Sequence, residues 1–335
     1  MTLKEQLRTV QGRLLSITIL ALLLLVSIIL SLRLGSVEFT QAEILKALFH
    51  DREGIPYQII CRLRLPRILL GALVGGALAV SGTILQGVMR NPLASPGIIG
   101  VSAGGGLAGI LVILALPQFA HLLVPAAFFG ALGTASLVYV LAWKRGASPV
   151  RLILSGVAVA AMLGAVSSAV LLLNAEKAGG ILDFTIGSLA TRGWEQIELV
   201  QYYMAVGLGT AFLLGNKLNV LALGDEAATG LGLHVELIRF VLIATAALLA
   251  ASAVSVAGLL GFVGLIAPHI VRIIIGTDNR FLLPGAALFG AFMVVTCDTV
   301  GRMLMPPTEL PVGIIMALLG PPFFLWLLRR NHYEA

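Results

Sequence analysis

The sequence predicts an all-α polytopic membrane protein with about ten transmembrane helices, and three observations carry that prediction. Of the 335 residues, 59% are hydrophobic and only 11% are charged, with a mean hydropathy of +1.02. Ten apolar windows approach the ~20 residues that an α-helix needs to cross a hydrocarbon core. The polar intervals between them are too short for a soluble domain, so residues 1–335 read as one transmembrane domain. The windows cover 14–34, 66–89, 96–116, 122–143, 149–173, 197–214, 237–256, 259–275, 281–301 and 311–328.

The first window follows Lys4, Arg8 and Arg13. It is too long for a secretory signal and lacks a small-residue cleavage site, so it is read as a retained helix. With the N-terminus in the cytoplasm, the inside carries 13 Lys and Arg against 6 Asp and Glu. The outside then carries 9 against 10, with Asp298 counted there. Basic residues concentrated inside fit the positive-inside rule and put both termini in the cytoplasm, with Arg329, Arg330 and His332 at the inner end. The net charge of +6 therefore requires no nucleic acid. The two cysteines, Cys61 and Cys297, belong to no metal-ligand cluster and are read as unpaired thiols.

An external segment, 35–65, separates the first two helices and holds a short amphipathic helix over Thr40 to His50. It closes on Arg62, Arg64 and Arg67, with Pro66 at the first position of the second helix. Two readings stay open for these arginines. They could anchor the chain by snorkelling at the membrane interface, or present planar forks of donors to a carboxylate. The second helix is rich in small residues, among them Gly71, Gly75, Gly76, Ala79 and Gly82, as close helix packing in a membrane requires. It ends near Gln86 and Arg90. Ser95 with Pro96, and Ser148 with Pro149, then read as the capped starts of the third and fifth helices, both on the cytoplasmic side.

Gly100, Ser102 and Gly104 formally match a nucleophile elbow. A serine hydrolase also needs a base, and His269 is the one histidine inside a predicted span, so the match is read as a chance product of a glycine-rich helix. His269 itself is read as a helix-end residue held by neighbouring carbonyls. Gln86 and Ser102 are read as polar groups satisfied between helices. Ionisable residues deep in a span mark ion-coupled transporters. The one prominent example here is Asp298, which an i,i+4 pair with Arg302 would explain. Energy for transport is therefore expected from outside this chain, with an ion-coupled secondary transporter as the alternative.

The interval from Asn216 to Arg239 is the longest half-polar stretch of the second half. Its pattern predicts two very short helices. Asn219 would cap one that Gly224 ends, and Asp225 would cap another that Gly230 and Gly232 end. Helices this short need something to pack against, because nucleation is unfavourable. The interval is a solvated loop or a docking surface.

These residues together resemble the permease subunits of ATP-binding-cassette importers for iron-siderophore complexes, haem and vitamin B12. The matching stretches are Arg64 to Arg67, Gly87 to Ser102, Ala222 to Leu233, Gly264 to Arg272 and Glu309 to Gly313. The resemblance implies a vitamin B12 importer permease-like fold in the bacterial cytoplasmic membrane, with helices two to five and seven to ten related as an inverted repeat. It implies a second permease subunit, identical or homologous, two cytoplasmic ATPase subunits that bind Mg-ATP, and an extracytoplasmic binding protein, all against membrane lipid. This chain would itself be no enzyme and hold no cofactor or metal. Its cargo would be an iron chelate, first a ferric siderophore, with haem and cobalamin in the same class. Arg64, Arg67 and Arg302 match the arginines that receive the binding protein. Leu223, Asp225, Glu226, Ala227, Ala228, Gly232 and Leu233 match the segment that couples to the ATPase, at about 219–233. Gln86, Asn91, Leu93, Ser148 and Pro149 fall on the cytoplasmic gate and translocation path.

Overall fold

The computed structural model describes residues 9–35, 37–49, 54–144, 146–174, 176, 181–305 and 308–331, without side-chain detail at 120, 324 and 326–331. His50 and His332, and the side chains of Arg329 and Arg330, lie outside the described residues. The helices are α1 (Val10–Arg33), α2 (Gln41–Phe49), α3 (Ile55–Met89), α4 (Val101–Ala115), α5 (Leu123–Ala142), α6 (Pro149–Leu173), α7 (Leu182–Ile186), α8 (Trp194–Ala222), α9 (Asp225–Gly230), α10 (Val235–Ala257), α11 (Val263–Ile275), α12 (Asn279–Leu304) and α13 (Val312–Asn331). Seven of these are long and apolar enough to cross a membrane: α1, α3, α5, α6, α8, α10 and α12. Shorter apolar helices, α4, α11 and the described apolar part of α13, occupy the other three predicted windows.

The short amphipathic helix α2 forms where expected, and its start is a capping box. The Thr40 N–H and hydroxyl both donate to Glu43 Oε2 at 2.8 Å, and the Glu43 N–H donates back to Thr40. The Thr40 bonds hold the Glu43 carboxyl below its ordinary pKa.

Three local expectations change. Helix α3 begins eleven residues before Pro66, through a π-helical turn over Gln58–Arg64, so Pro66 lies inside a continuous helix. The backbone has already left the i→i−4 register where the proline lacks its N–H, so little is lost there. The third window divides into a 3₁₀ turn, Pro96–Ile99, and α4, with Gly100 between them at φ +75°. The Ser95 side chain caps neither, whereas Ser148 does accept from the Arg151 N–H at 3.4 Å. Helix α8 runs on to Ala222 and absorbs the first of the two short helices expected around Asn219.

Helix α3 is the axis of the bundle, enclosed by α8, α10, α11 and α12. Its small residues make this possible. Gly75 meets the backbone of Gly290 on α12 so closely that a Cβ on either would overlap the other helix. On another face Ser81 donates to the Ala246 carbonyl of α10 at 2.7 Å. Helices α3 and α10, the leading helices of the two expected halves, are the most buried of the long spans. Helix α6 is the least buried, and its exposed face carries Ala158, Ala161, Gly164, Ala165 and Ser168.

Candidate functional site

Helix α3 carries Arg64 and Arg67 toward one end and Arg90 just past the other, with Arg64 and Arg90 roughly 39 Å apart at 1.5 Å per residue. Polar chemistry gathers at both ends.

At the first end, Arg67 grips Asp298 of α12 through two parallel bonds, Nε to Oδ2 and Nη2 to Oδ1, each 2.9 Å. Its Nη1 donates to Glu309 at 2.6 Å. Asp298 is 3% exposed and Arg302 4%. The i,i+4 partner expected for Asp298 is secondary: Arg302 Nε stands 3.5 Å from it, while Arg302 Nη2 donates to Ser31 Oγ at 2.5 Å on α1. Arg64 is also buried. It donates to the carbonyls of Leu32 at 2.7 Å, Arg33 at 3.2 Å and Val37, and its guanidinium lies 5.1 Å from the Phe39 ring centre. Arg64 thus ties the chain after α1 to the start of α3. These arginines, Arg62, Arg192 and Glu309 line a cavity of about 560 Å3.

At the opposite end, α9 is a single short helix. Its N-cap is Gly224 at φ +111°, where a side chain would be strained, so Asp225 is the first helical residue and not the cap. Gly232, at φ +80°, ends the turn as a Schellman motif, with its N–H on Thr229 O at 2.9 Å and the Leu233 N–H on Ala228 O at 3.0 Å. Ala228 faces inward, while Glu226, Ala227, Leu223 and Leu231 are exposed, the two leucines at 66% each.

What anchors α9 is Arg239, 2% exposed on α10. It donates to Asp225 and to Glu236, both at 2.6 Å, and Glu236 in turn accepts from the Ala147 N–H at 3.1 Å. Arg151 holds the same turn through the carbonyls of Lys144 and Gly146. The two expected inner sites, the segment around Glu226 and the turn before Ser148 and Pro149, are therefore one bonded unit.

Asn219 caps a helix, though not its own. Its Oδ1 accepts from the Asn279 N–H at 2.8 Å, at the start of α12, and its Nδ2 donates to Asp278 at 2.8 Å. Arg280 and Asn219 hold the Asp278 carboxyl well below the usual carboxylate range, against the opposing effect of burial. Arg13 of α1 completes the cluster at 3.0 Å.

Gln86 accepts from Arg272 of α11 at 2.8 Å, the interhelical bond expected for it, although its Nε2 has no partner among the described residues. Asn91 forms a tight turn by accepting from the Leu93 N–H at 2.9 Å, and Leu93 is exposed. His269 departs from expectation: neither ring nitrogen has a partner among the described residues, and the ring packs edge-on against Phe323. It lies more than a turn before the end of its helix, which continues to Ile275. Ser102 lies in the first turn of α4 and hydrogen-bonds no histidine among the described residues. Both cysteines are free.

The FecCD transport family model matches residues 23–330, nearly the whole chain. This chain belongs to the FecCD transport family. Among relatives, the Fe(3+)-citrate import system permease protein YfmE of Bacillus subtilis is 40% identical over 98% of both chains. The cobalamin import system permease of Halobacterium salinarum is 44% identical over 83% of this chain and 75% of its own. The hemin transport system permease of Yersinia pestis is 39% identical over 83% and 85%. A solved inward-facing metal-chelate type ABC transporter superposes with a TM-score of 0.83 at 32% identity, covering 94% of this chain and 98% of that one. The FecCD chain is thus a multi-pass permease subunit of the importer class that includes iron-chelate, haem and cobalamin systems.

Sequence reasoning missed Arg192, Arg239 and Ser31 in this FecCD chain. Arg239 carried one usable signal, a basic residue four positions into an apolar helix. Arg192 and Ser31 carried none.

Proposed function

We propose that this chain forms the membrane path of an ATP-driven importer that carries an iron chelate into the cytoplasm, a ferric siderophore first, with haem and cobalamin as class alternatives. The observation that carries the reading is the pair of polar assemblies at opposite ends of α3, one arginine-rich and one a short exposed helix clamped from below by Arg239. The arginine end, with Arg64, Arg67 and Arg302, faces outward and receives the binding protein. The α9 end faces the cytoplasm. Exposed Leu223, Glu226, Ala227 and Leu231 give an ATPase subunit an apolar patch with an acidic edge, while Ala228, Gly232 and Leu233 shape the turn that presents it.

Motion of α9 would pass through Asp225, Arg239 and Glu236 to the turn that leads into Ser148 and Pro149, the start of α6. Gln86, Asn91 and Leu93 at the same end complete the gate. The small-residue face of α6 suits close packing against a second permease subunit across the path. ATP and Mg2+ would be bound by the partner ATPases. An ion-coupled mechanism lacks its usual support, because the buried carboxylate in a span, Asp298, is already held by Arg67.

Co-purification tests the assembly. Expressed with the genes of its import system, the chain should purify with ATPase subunits, and that complex should hydrolyse ATP. A chain that purifies alone and moves the chelate on an ion gradient contradicts the proposal.

A further inference from the structure

The cavity at the arginine end holds five arginines, Arg62, Arg64, Arg67, Arg192 and Arg302, against one carboxylate, Glu309. Three of the five are committed within the chain. Arg64 is spent on backbone carbonyls, Arg67 on Asp298 and Glu309, and Arg302 on Ser31, Thr299 and Asp298. Arg62 and Arg192 make no side-chain hydrogen bond or ion pair among the described residues, and the Nε of Arg192 is buried without a partner. Removing a guanidinium from water without an acceptor is costly. Its burial pushes the Arg192 pKa down, with the charge of Asp183 only partly opposing.

The loop that presents Arg192 is rigid and strained. Ser188 N–H is bonded to Ala257 O at 2.9 Å, the Gly193 N–H to Gln196 Oε1 at 2.8 Å, and the Trp194 indole to Cys61 O at 3.0 Å. Between these anchors Thr191 takes φ +60°, a conformation that β-branched residues rarely adopt. A strained residue beside an unpaired, desolvated cation is an arrangement that favours binding over stability.

We infer that Arg192 and Arg62, more than the internally bonded Arg64, Arg67 and Arg302, supply the free positive charge that takes up acidic side chains of the extracytoplasmic binding protein. This rests on the reading that the arginine end is where that protein docks. Charge complementarity fixes the partner's chemistry. The five arginines meet two carboxylates, Glu309 in the lining and Asp298 behind Arg67 and Arg302, and so stand three short of balance, and Arg192 is placed to complete a pair on contact. Arg67, Arg302 and Arg64 then act as the frame that holds α1, α3 and α12 together beside this loop.

The test is a titration of the purified binding protein of the same import system against the permease complex in lipid nanodiscs, at low and high salt. Arg192→Gln should weaken binding at least ~10-fold, as expected when one member of a desolvated charge pair is removed, while Arg192→Lys should retain part of the affinity. The unfolding temperature of Arg192→Gln should stay level or rise, because an unpaired charge is removed; a purely structural arginine would lower it. Exposed Arg62→Gln should reduce both affinity and the salt dependence of binding, and it serves as the second variant should Arg192→Gln fold poorly. Binding by both variants within ~2-fold of the parent chain overturns the inference. If high salt still weakens binding of the parent chain in that case, an electrostatic docking site stands and only the division of labour is wrong. If salt also has no effect on the parent chain, the docking reading falls with it.

Discussion

Arg67 and Asp298 lie 231 positions apart in sequence and form a bidentate ion pair that fastens α3 to α12. Both side chains are largely withdrawn from water, at 11% and 4% exposure. A charge pair in such a place stabilises the bundle mainly through what happens when it is broken, because the buried Asp298 would keep only its longer contact to Arg302, at 3.5 Å.

Arg67→Ala should therefore destabilise the chain by about 3–5 kcal/mol. Replacing both partners with methionine should recover only part of that loss, since Asp298 is no longer left without Arg67 but the buried Arg302 loses its carboxylate. Thermal unfolding in detergent separates the cases. Equal loss in the single and double variants would show that the pair matters through packing and not through charge.

Glu236 accepts the Ala147 N–H while its other oxygen is held by Arg239. A bond from an amide to a charged acceptor contributes about 1.5–3 kcal/mol. Glu236→Ala should accordingly speed amide exchange at Ala147 about tenfold or more. Glu236→Gln, which keeps an acceptor, should have a smaller effect. An unchanged rate would mean that α9 and the turn before Ser148 are not joined through this residue.

Glu226 is exposed on α9 and makes no ion pair among the described residues. Glu226→Arg should leave stability within about 0.5 kcal/mol yet abolish association with the ATPase subunits. Intact assembly and transport in that variant would remove α9 from the coupling interface.

Asp278 predicts an acid-sensitive step. Its carboxyl is held below its unfolded value by Arg280, with Asn219 adding to the effect, so in acid the unfolded chain takes up a proton that the folded chain refuses. The stability it contributes is complete above the ordinary carboxylate range and is lost as pH falls through and below about 4. Asp278→Asn should flatten the decline of unfolding temperature between pH 5 and pH 3. An unaltered slope would assign the acid sensitivity to other carboxylates.

The architecture was largely legible because the bilayer imposes a length and a composition on each crossing: of ten windows from 14–34 to 311–328, seven form helices that meet both and three form shorter apolar helices. The caps were less so. Asn219 has the chemistry of a cap, and it does cap a helix, but the partner Asn279 is 60 positions away and no local pattern reveals it. Asp298 suffered the same fault. Spacing offered Arg302, while the stronger partner, Arg67, is brought in by the packing of Gly75 on Gly290. The arginines proposed for docking were visible as a basic cluster at a helix mouth, but sequence says nothing of which are already bonded within the chain. Arg192 stood alone in a loop and became part of the cavity only through tertiary structure.

The central claim is that ATP hydrolysed in partner subunits, entering through α9, drives chelate movement through this chain. Membrane vesicles containing the complete importer, its binding protein and a radioiron-labelled ferric chelate test it most directly. Uptake should persist after ionophores collapse every ion gradient and should stop when ATP is withdrawn. Uptake that continues without ATP and vanishes with the gradient would contradict the account.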